Sequence, residues 1–125
     1  MRQFPRSSEI VAAAVAFALA GCEAETPSRA QDTGDPDKGR AVIARVGCGA
    51  CHEIPGVPGA AGIVAPSLRR FAGRTLIAGV HVNEPQVLVS WLRDAPELSP
   101  ETGMPEMPIS EQEARDAAAY LYTLR

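Results

Sequence analysis

The chain has little of several things that would each point to a function. Lysine occurs once, at Lys38, and the formal net charge is −3 over 125 residues. Without residues 1–21, which hold Arg2, Arg6 and Glu9, 10 basic and 14 acidic side chains remain, a balance of −4. That balance argues against a basic patch for nucleic acid or an anionic membrane. Aromatic residues make up 5% of a chain that is 46% hydrophobic, so the amino-acid core alone is thin. No segment alternates apolar and polar residues as a strand does, and no internal repeat is visible. The chain has three cysteines, and the only histidines are His52 and His81. A structural zinc site, which takes about four ligands, is therefore undersupplied. The missing strand–helix alternation also removes the usual setting of a dithiol redox pair.

What is present is Cys48-Gly49-Ala50-Cys51-His52. A C-x-x-C-H run is the attachment pattern of a covalent c-type haem. Two thiols three positions apart, on one helical turn, can add to the two vinyl groups of a single porphyrin. The histidine that follows is then held under the ring, where its imidazole can bind the iron. Gly49 and Ala50 are small enough to lie close against the macrocycle. One haem c would also supply the apolar mass that the aromatic-poor core lacks. Cys48 and Cys51 are thereby assigned without a disulfide.

Residues 1–21 read as a signal segment: Arg2 and Arg6 precede an apolar run of eleven residues, Ile10 to Ala20. A membrane-spanning helix takes about 20 such residues, so this run is too short to be one. It ends in Leu19-Ala20-Gly21-Cys22, which resembles the lipobox of bacterial lipoproteins. That resemblance implies lipidation of Cys22 and a place on the periplasmic side of a bacterial membrane. The alternative is an ordinary secretory signal. Residues 22–34 are polar, with Pro, Gly and Ser, and read as a flexible tether. Such a length sets the folded part ~20 Å from its anchor, and at most about 40 Å when pulled straight.

Residues 35–125 read as one all-α domain of about three to four helices. Asp35-Pro36 predicts a helix start, with Val42, Ile43 and Val46 on its apolar stripe. Gly39 lies within it, at a position suited to close approach of another helix. Residues 53–66 contain three prolines and three glycines in fourteen positions, a loop whose Ile54, Val57, Ile63 and Val64 are expected to lie on something hydrophobic. Asn83 to Asp94 predicts a second helix, with Asn83 and Gln86 as a capping pair and Pro96 just beyond its end. Residues 95–109 read as a proline-rich loop. Ser110 and Glu113 form a capping box for a last helix bearing Ala114, Ala117, Ala118, Leu121 and Leu124.

In this order of parts, residues 35–125 resemble a class I cytochrome c, with helices wrapped around one covalent haem. The motifs that carry the resemblance are Cys48-Gly-Ala-Cys51-His52, Ala65-Pro66-Ser67-Leu68, Gly103-Met104-Pro105 and Ala118-Ala119-Tyr120-Leu121. The resemblance implies His52 as one axial ligand and a methionine sulfur as the other. In the family that methionine usually sits in a Met-Pro pair about six residues before the cap of the last helix. Met104 is six residues before Ser110 and Met107 three, and Met104 follows Trp91 by thirteen. Met104 is thus the favoured ligand, with packing the alternative role for either methionine. His81 offers a bis-histidine alternative. The resemblance further implies that the Pro66 carbonyl receives the other ring nitrogen of His52 and that Arg74 lies near a haem propionate; Trp91, the only tryptophan, is by its residue type expected in the core, which beside a cofactor means against the haem. The resemblance also implies that Gly39 and Tyr120 meet where the first and last helices cross.

The function this implies is a membrane-tethered monohaem electron carrier and not an enzyme, with redox protein partners as donor and acceptor. Histidine–methionine ligation saturates the iron and raises its potential. With one lysine there is no lysine ring for docking, so partner contact rests on an apolar rim with Arg69, Arg70 and Arg74 around it. Two alternatives stand beside it: a haem subunit of a larger oxidoreductase complex, and a sensor or enzyme whose iron binds a small molecule.

Overall fold

In a computed structural model, which describes residues 34–125, the first helix, α1 (Pro36–Val46), starts at its sequence signals. Asp35 accepts hydrogen bonds from the backbone N–H groups of Asp37 and Lys38 at 2.9 and 3.2 Å. Pro36 occupies the first turn, where a missing N–H costs nothing. Gly47, at φ 79°, ends the helix, its N–H donating to the Ile43 carbonyl. The expected signal segment, Cys22 and the tether through residue 33 lie outside the described residues. Among the described residues no helix is long and apolar enough to cross a membrane.

Downstream come a short antiparallel hairpin, β1 (Leu76–Ile77) with β2 (His81–Val82), then α2 (Pro85–Arg93), α3 (Ala95–Leu98) and α4 (Glu111–Leu121). The hairpin departs from the strand-free expectation. Its register pairs Leu76 with Val82 and Ile77 with His81. Ala78 and Gly79 both take left-handed φ, 51° and 78°, and the Val80 N–H closes the turn on the Ile77 carbonyl at 3.1 Å. An Ala-Gly pair carries a weaker turn signal than Asn-Gly. α3 likewise replaces part of the expected loop. Asp94 caps it through the Glu97 N–H at 3.0 Å, and Pro96 sits inside its first turn, where proline is tolerated, instead of closing the helix before it.

Asn83 is not the cap of α2. Glu84 holds that position, without a side-chain bond, and Asn83 turns inward with no exposed surface. Its Nδ2 donates to the carbonyls of Arg74 at 2.9 Å and Phe71 at 3.4 Å. Its Oδ1 accepts from the Tyr122 hydroxyl at 3.0 Å. One buried amide thus ties the segment before β1 to the end of α4. Removing a partner from buried polar groups costs about 1–3 kcal/mol. Asn83→Ala is therefore expected to lower the urea midpoint with an unchanged m-value; a wild-type midpoint would contradict this account.

The core lies where α1 and α2 pack against α4, and includes Ile43, Leu88, Trp91, Leu92, Ala117, Ala118 and Leu121. The α1–α4 crossing is close because Gly39 has no side chain: a Cβ there would overlap the Asp116 carbonyl and reach the Ala117 nitrogen at 2.9 Å. Gly39 meets the backbone of Asp116, one turn before Tyr120. The Tyr120 hydroxyl donates to the Pro55 carbonyl at 2.6 Å, so that ring anchors the loop after His52. Asp116, buried, accepts from the Asp35 N–H at 2.9 Å and from Gln112 at 3.0 Å, which fastens the start of α1 to α4.

The capping box of α4 is complete, Ser110 and Glu113 each accepting the other's backbone N–H at 3.2 and 2.8 Å. The Ser110 N–H, its largest influence, holds the Glu113 carboxyl below its ordinary pKa. The Lys38 N–H does the same for Asp35. A depressed carboxylate pKa gives stability that is present above the unfolded value and lost as pH falls through the folded one. Helical circular dichroism should therefore weaken on the acid side, with part of the loss removed in Glu113→Gln. An identical acid midpoint in that variant would count against the cap's contribution.

Candidate functional site

Gly47 turns the chain out of α1 directly into a single 3-10 turn, Cys48–Ala50. The turn is closed by Ala50 N–H to Gly47, and by Cys51 and His52 N–H to the Cys48 carbonyl, at 3.0, 3.2 and 3.0 Å. It presents Cys48 half-buried and Cys51 exposed, both as free thiols. Burial pushes the Cys48 thiol pKa up. The following loop folds back beneath the turn. Gly62 donates to the Gly49 carbonyl at 3.1 Å and Ala65 to that of Cys51 at 2.9 Å. The fit is tight on both sides: a Cβ on Gly49 would lie 2.6 Å from Ala60, and one on Gly62 2.6 Å from the Ala50 carbonyl. Within the loop, Ile54 and Val57 enter the core, whereas Ile63 and Val64 stand 94% and 82% exposed beside the turn. For Ile54 and Val57 the expected hydrophobic backing is the protein core.

The His52 Nδ1 lies 2.7 Å from the Pro66 carbonyl oxygen. A carbonyl can only accept, so Nδ1 is the donor, and in the neutral imidazole Nε2 is the nitrogen with the lone pair. Arg74 donates to the Ser67 carbonyl and its guanidinium lies 5.6 Å from the Phe71 ring centre. Arg69 is paired to Glu53 at 2.6 Å, so the arginine cluster is partly spent on the protein itself. Trp91 is buried in the core, and Cys48, Leu68 and Met104 pack against that same core cluster. Met107 is held through its backbone, donating to the Arg93 carbonyl at 2.8 Å. His81 lies 2.9 Å from the Ser99 hydroxyl through Nε2, with its ring 5.6 Å from that of Trp91.

Sequence reading missed Glu53 and Ser67, whose side chains meet at 2.6 Å. The fourteen-residue separation carries no local signal. Among the described residues no group of three or more His, Cys, Asp or Glu side chains could hold a bare metal ion. The donor set does fit a covalent haem. Two free thiols three positions apart are presented on one turn, and beside them stands an imidazole whose proton is fixed on Nδ1.

Among the described residues, four helices, one minimal hairpin and this turn define a class I cytochrome c fold. The chain belongs to the cytochrome c family, whose model, described as "Cytochrome c", matches residues 36–125. The family binds covalent haem c, and its chemistry is haem-based electron transfer with redox protein partners. The chain is also similar to cytochrome c oxidase subunit 2 of Alkalihalophilus pseudofirmus, at 34% identity over 90 residues. The match covers 71% of this chain and 25% of that protein, so the chain spans about a quarter of that relative's length.

Proposed function

We propose that this domain carries single electrons between redox proteins through one haem c, bound by Cys48 and Cys51 with His52 and Met104 as axial ligands. The observation that carries the reading is the 2.7 Å contact of His52 Nδ1 with Pro66. It fixes the ring's tautomer and makes the imidazole a stronger ligand, as a second-shell acceptor does at other metal sites. When bound, the haem supplies the one-electron iron couple. The thiols of Cys48 and Cys51 would tether it, His52 Nε2 and the Met104 sulfur would hold its iron, and Trp91, in the core that Cys48 and Met104 border, would help exclude water. Arg74, which holds the Ser67 carbonyl, would assist at a propionate. The test is mass spectrometry of protein made with a haem-attachment system. One haem should remain after denaturation, and the adduct should be lost in Cys48→Ser/Cys51→Ser; a haem lost on denaturing the wild type contradicts the reading.

Docking would rest on an apolar rim more than on charge. Lys38 is engaged with Asp35 at 3.7 Å and Arg69 with Glu53. Oxidation of the reduced protein by membranes containing its acceptor should therefore change less than about threefold between ~0.1 and ~1 M salt, over which the screening length falls from ~10 to ~3 Å. A steep loss of rate across that range would show charge-guided docking instead.

Lipid attachment at Cys22, after removal of residues 1–21, would place the domain on the periplasmic side of a bacterial membrane with residues 22–34 as a leash. The lipobox-like Leu19-Ala20-Gly21-Cys22 supports this. Cys22→Ser should then release the protein from membranes. The similarity to an oxidase subunit favours a second reading, in which the domain serves within a larger terminal-oxidase-type complex. Co-purification with other subunits in mild detergent separates the two.

A further inference from the structure

The carbonyl that faces His52 belongs to the Pro66–Ser67 peptide, and that peptide is held mainly from one side chain. Backbone hydrogen bonds bracket it: Ala65 donates to Cys51 at 2.9 Å and Leu68 to Glu53 at 2.8 Å. Between them Pro66 has no N–H, and the Ser67 N–H makes no hydrogen bond among the described residues. What resists rotation of this peptide is Ser67. Its hydroxyl donates to Glu53 Oε2 at 2.6 Å, and its carbonyl accepts from Arg74. The other oxygen of the same carboxylate, Oε1, is gripped by Arg69 through Nε at 2.8 Å and Nη2 at 2.6 Å. Glu53 thus spends one oxygen on Ser67 and the other on Arg69, and its position next to His52 links the ligand and its acceptor on one short path.

We infer that Glu53 and Arg69 are positioning residues for the axial histidine: through Ser67 they fix the direction of the Pro66 carbonyl, and so the hydrogen bond that sets the basicity of His52. The inference rests on His52 being an iron ligand. A firmer Nδ1–H to carbonyl bond makes the imidazole more basic, which favours the oxidised state, so a loosened peptide raises the midpoint potential. A half-exposed ion pair adds little to stability, and a merely structural role would leave the potential where it is.

The experiment uses the haem-bearing protein and three variants: Ser67→Ala, Glu53→Ala and Glu53→Gln. Two quantities are read, the midpoint potential and the exchange rate of the His52 Nδ1 proton in the reduced, diamagnetic protein by nitrogen-edited NMR. Ser67→Ala breaks the link without altering charge. It is expected to speed proton exchange about tenfold and to shift the reduced-to-oxidised ratio about threefold, or ~30 mV at ~59 mV per tenfold for one electron. Glu53→Ala should do the same or more, and Glu53→Gln, which keeps an acceptor for the serine, should return most of the wild-type behaviour. If Ser67→Ala leaves both quantities unchanged, or Glu53→Gln shifts the potential as far as Glu53→Ala, the effect is charge alone and the inference is overturned. A wild type whose spectrum shows covalent haem with histidine ligation alongside unchanged variants sinks only this inference. A wild type without covalent haem sinks the electron-carrier reading, and this inference with it.

Discussion

Met104→Ala is expected to abolish the weak far-red sulfur-to-iron band of the oxidised protein and to lower its midpoint potential, whereas Met107→Ala leaves both in place. The structure adds a physical difference between the two methionines to their spacing from Ser110. The Met104 side chain packs against the core cluster that Cys48, Leu68 and Trp91 also border. Its N–H is tied only to the neighbouring Thr102 hydroxyl at 3.2 Å, so the loop can present the sulfur inward. Met107 is pinned through its backbone to the end of α2. Axial ligands set haem potentials over a range of about 0.8 V, and losing a methionine that raises the potential should lower it by on the order of 0.1 V. The band disappearing in the Met107 variant instead would move the ligand three residues along the chain and leave the function standing.

Gly39→Leu is expected to be the most destabilising single change in the domain. The obstacle to any Cβ at Gly39 is the backbone of α4, at the Asp116 carbonyl and the Ala117 nitrogen, and not a side chain that could rotate away. The backbone there is itself fastened, since Asp116 holds the Asp35 N–H at the start of α1. The helices must separate, which opens the core around Ile43, Ala117 and Ala118. Overpacking typically costs about 1–3 kcal/mol, and more where the neighbour cannot yield. A loss of about 3 kcal/mol lowers the melting temperature by roughly 15 °C for a domain of this size. Gly39→Ala should cost less, because the better helix propensity returns about 1 kcal/mol, yet it should still melt below wild type. A wild-type melting temperature in both variants would mean that Gly39 only frays the first turn.

The parts legible in the sequence are those specified over three or four residues. Asp35-Pro36 and Ser110 with Glu113 placed two helix starts because a cap needs only its own first turn. Cys48 to His52 pointed to covalent haem c, the family's cofactor, because the motif is five consecutive residues. What escaped is specified across the chain. Asn83 reads locally as a cap, yet its three partners, Arg74, Phe71 and Tyr122, lie nine to thirty-nine residues away, and satisfying a buried amide outweighed capping an exposed helix end. The Ala78-Gly79 turn and the four residues of α3 are too short to show a period. Glu53, Ser67 and Arg69 are ordinary surface types whose meeting appears only once the loop beneath Cys51 has folded. The Tyr120 hydroxyl goes to Pro55, sixty-five residues away, because the loop brings that carbonyl to it.

The central claim is a haem closed on both faces by residues of this chain and therefore dedicated to moving electrons. The most direct measurement is a carbon monoxide difference spectrum of the reduced, haem-bearing protein at neutral pH. This account predicts no change in the wild type and ready binding in Met104→Ala. Ready binding by the wild type would mean an open iron, and would put a ligand-binding sensor or enzyme in place of the electron carrier.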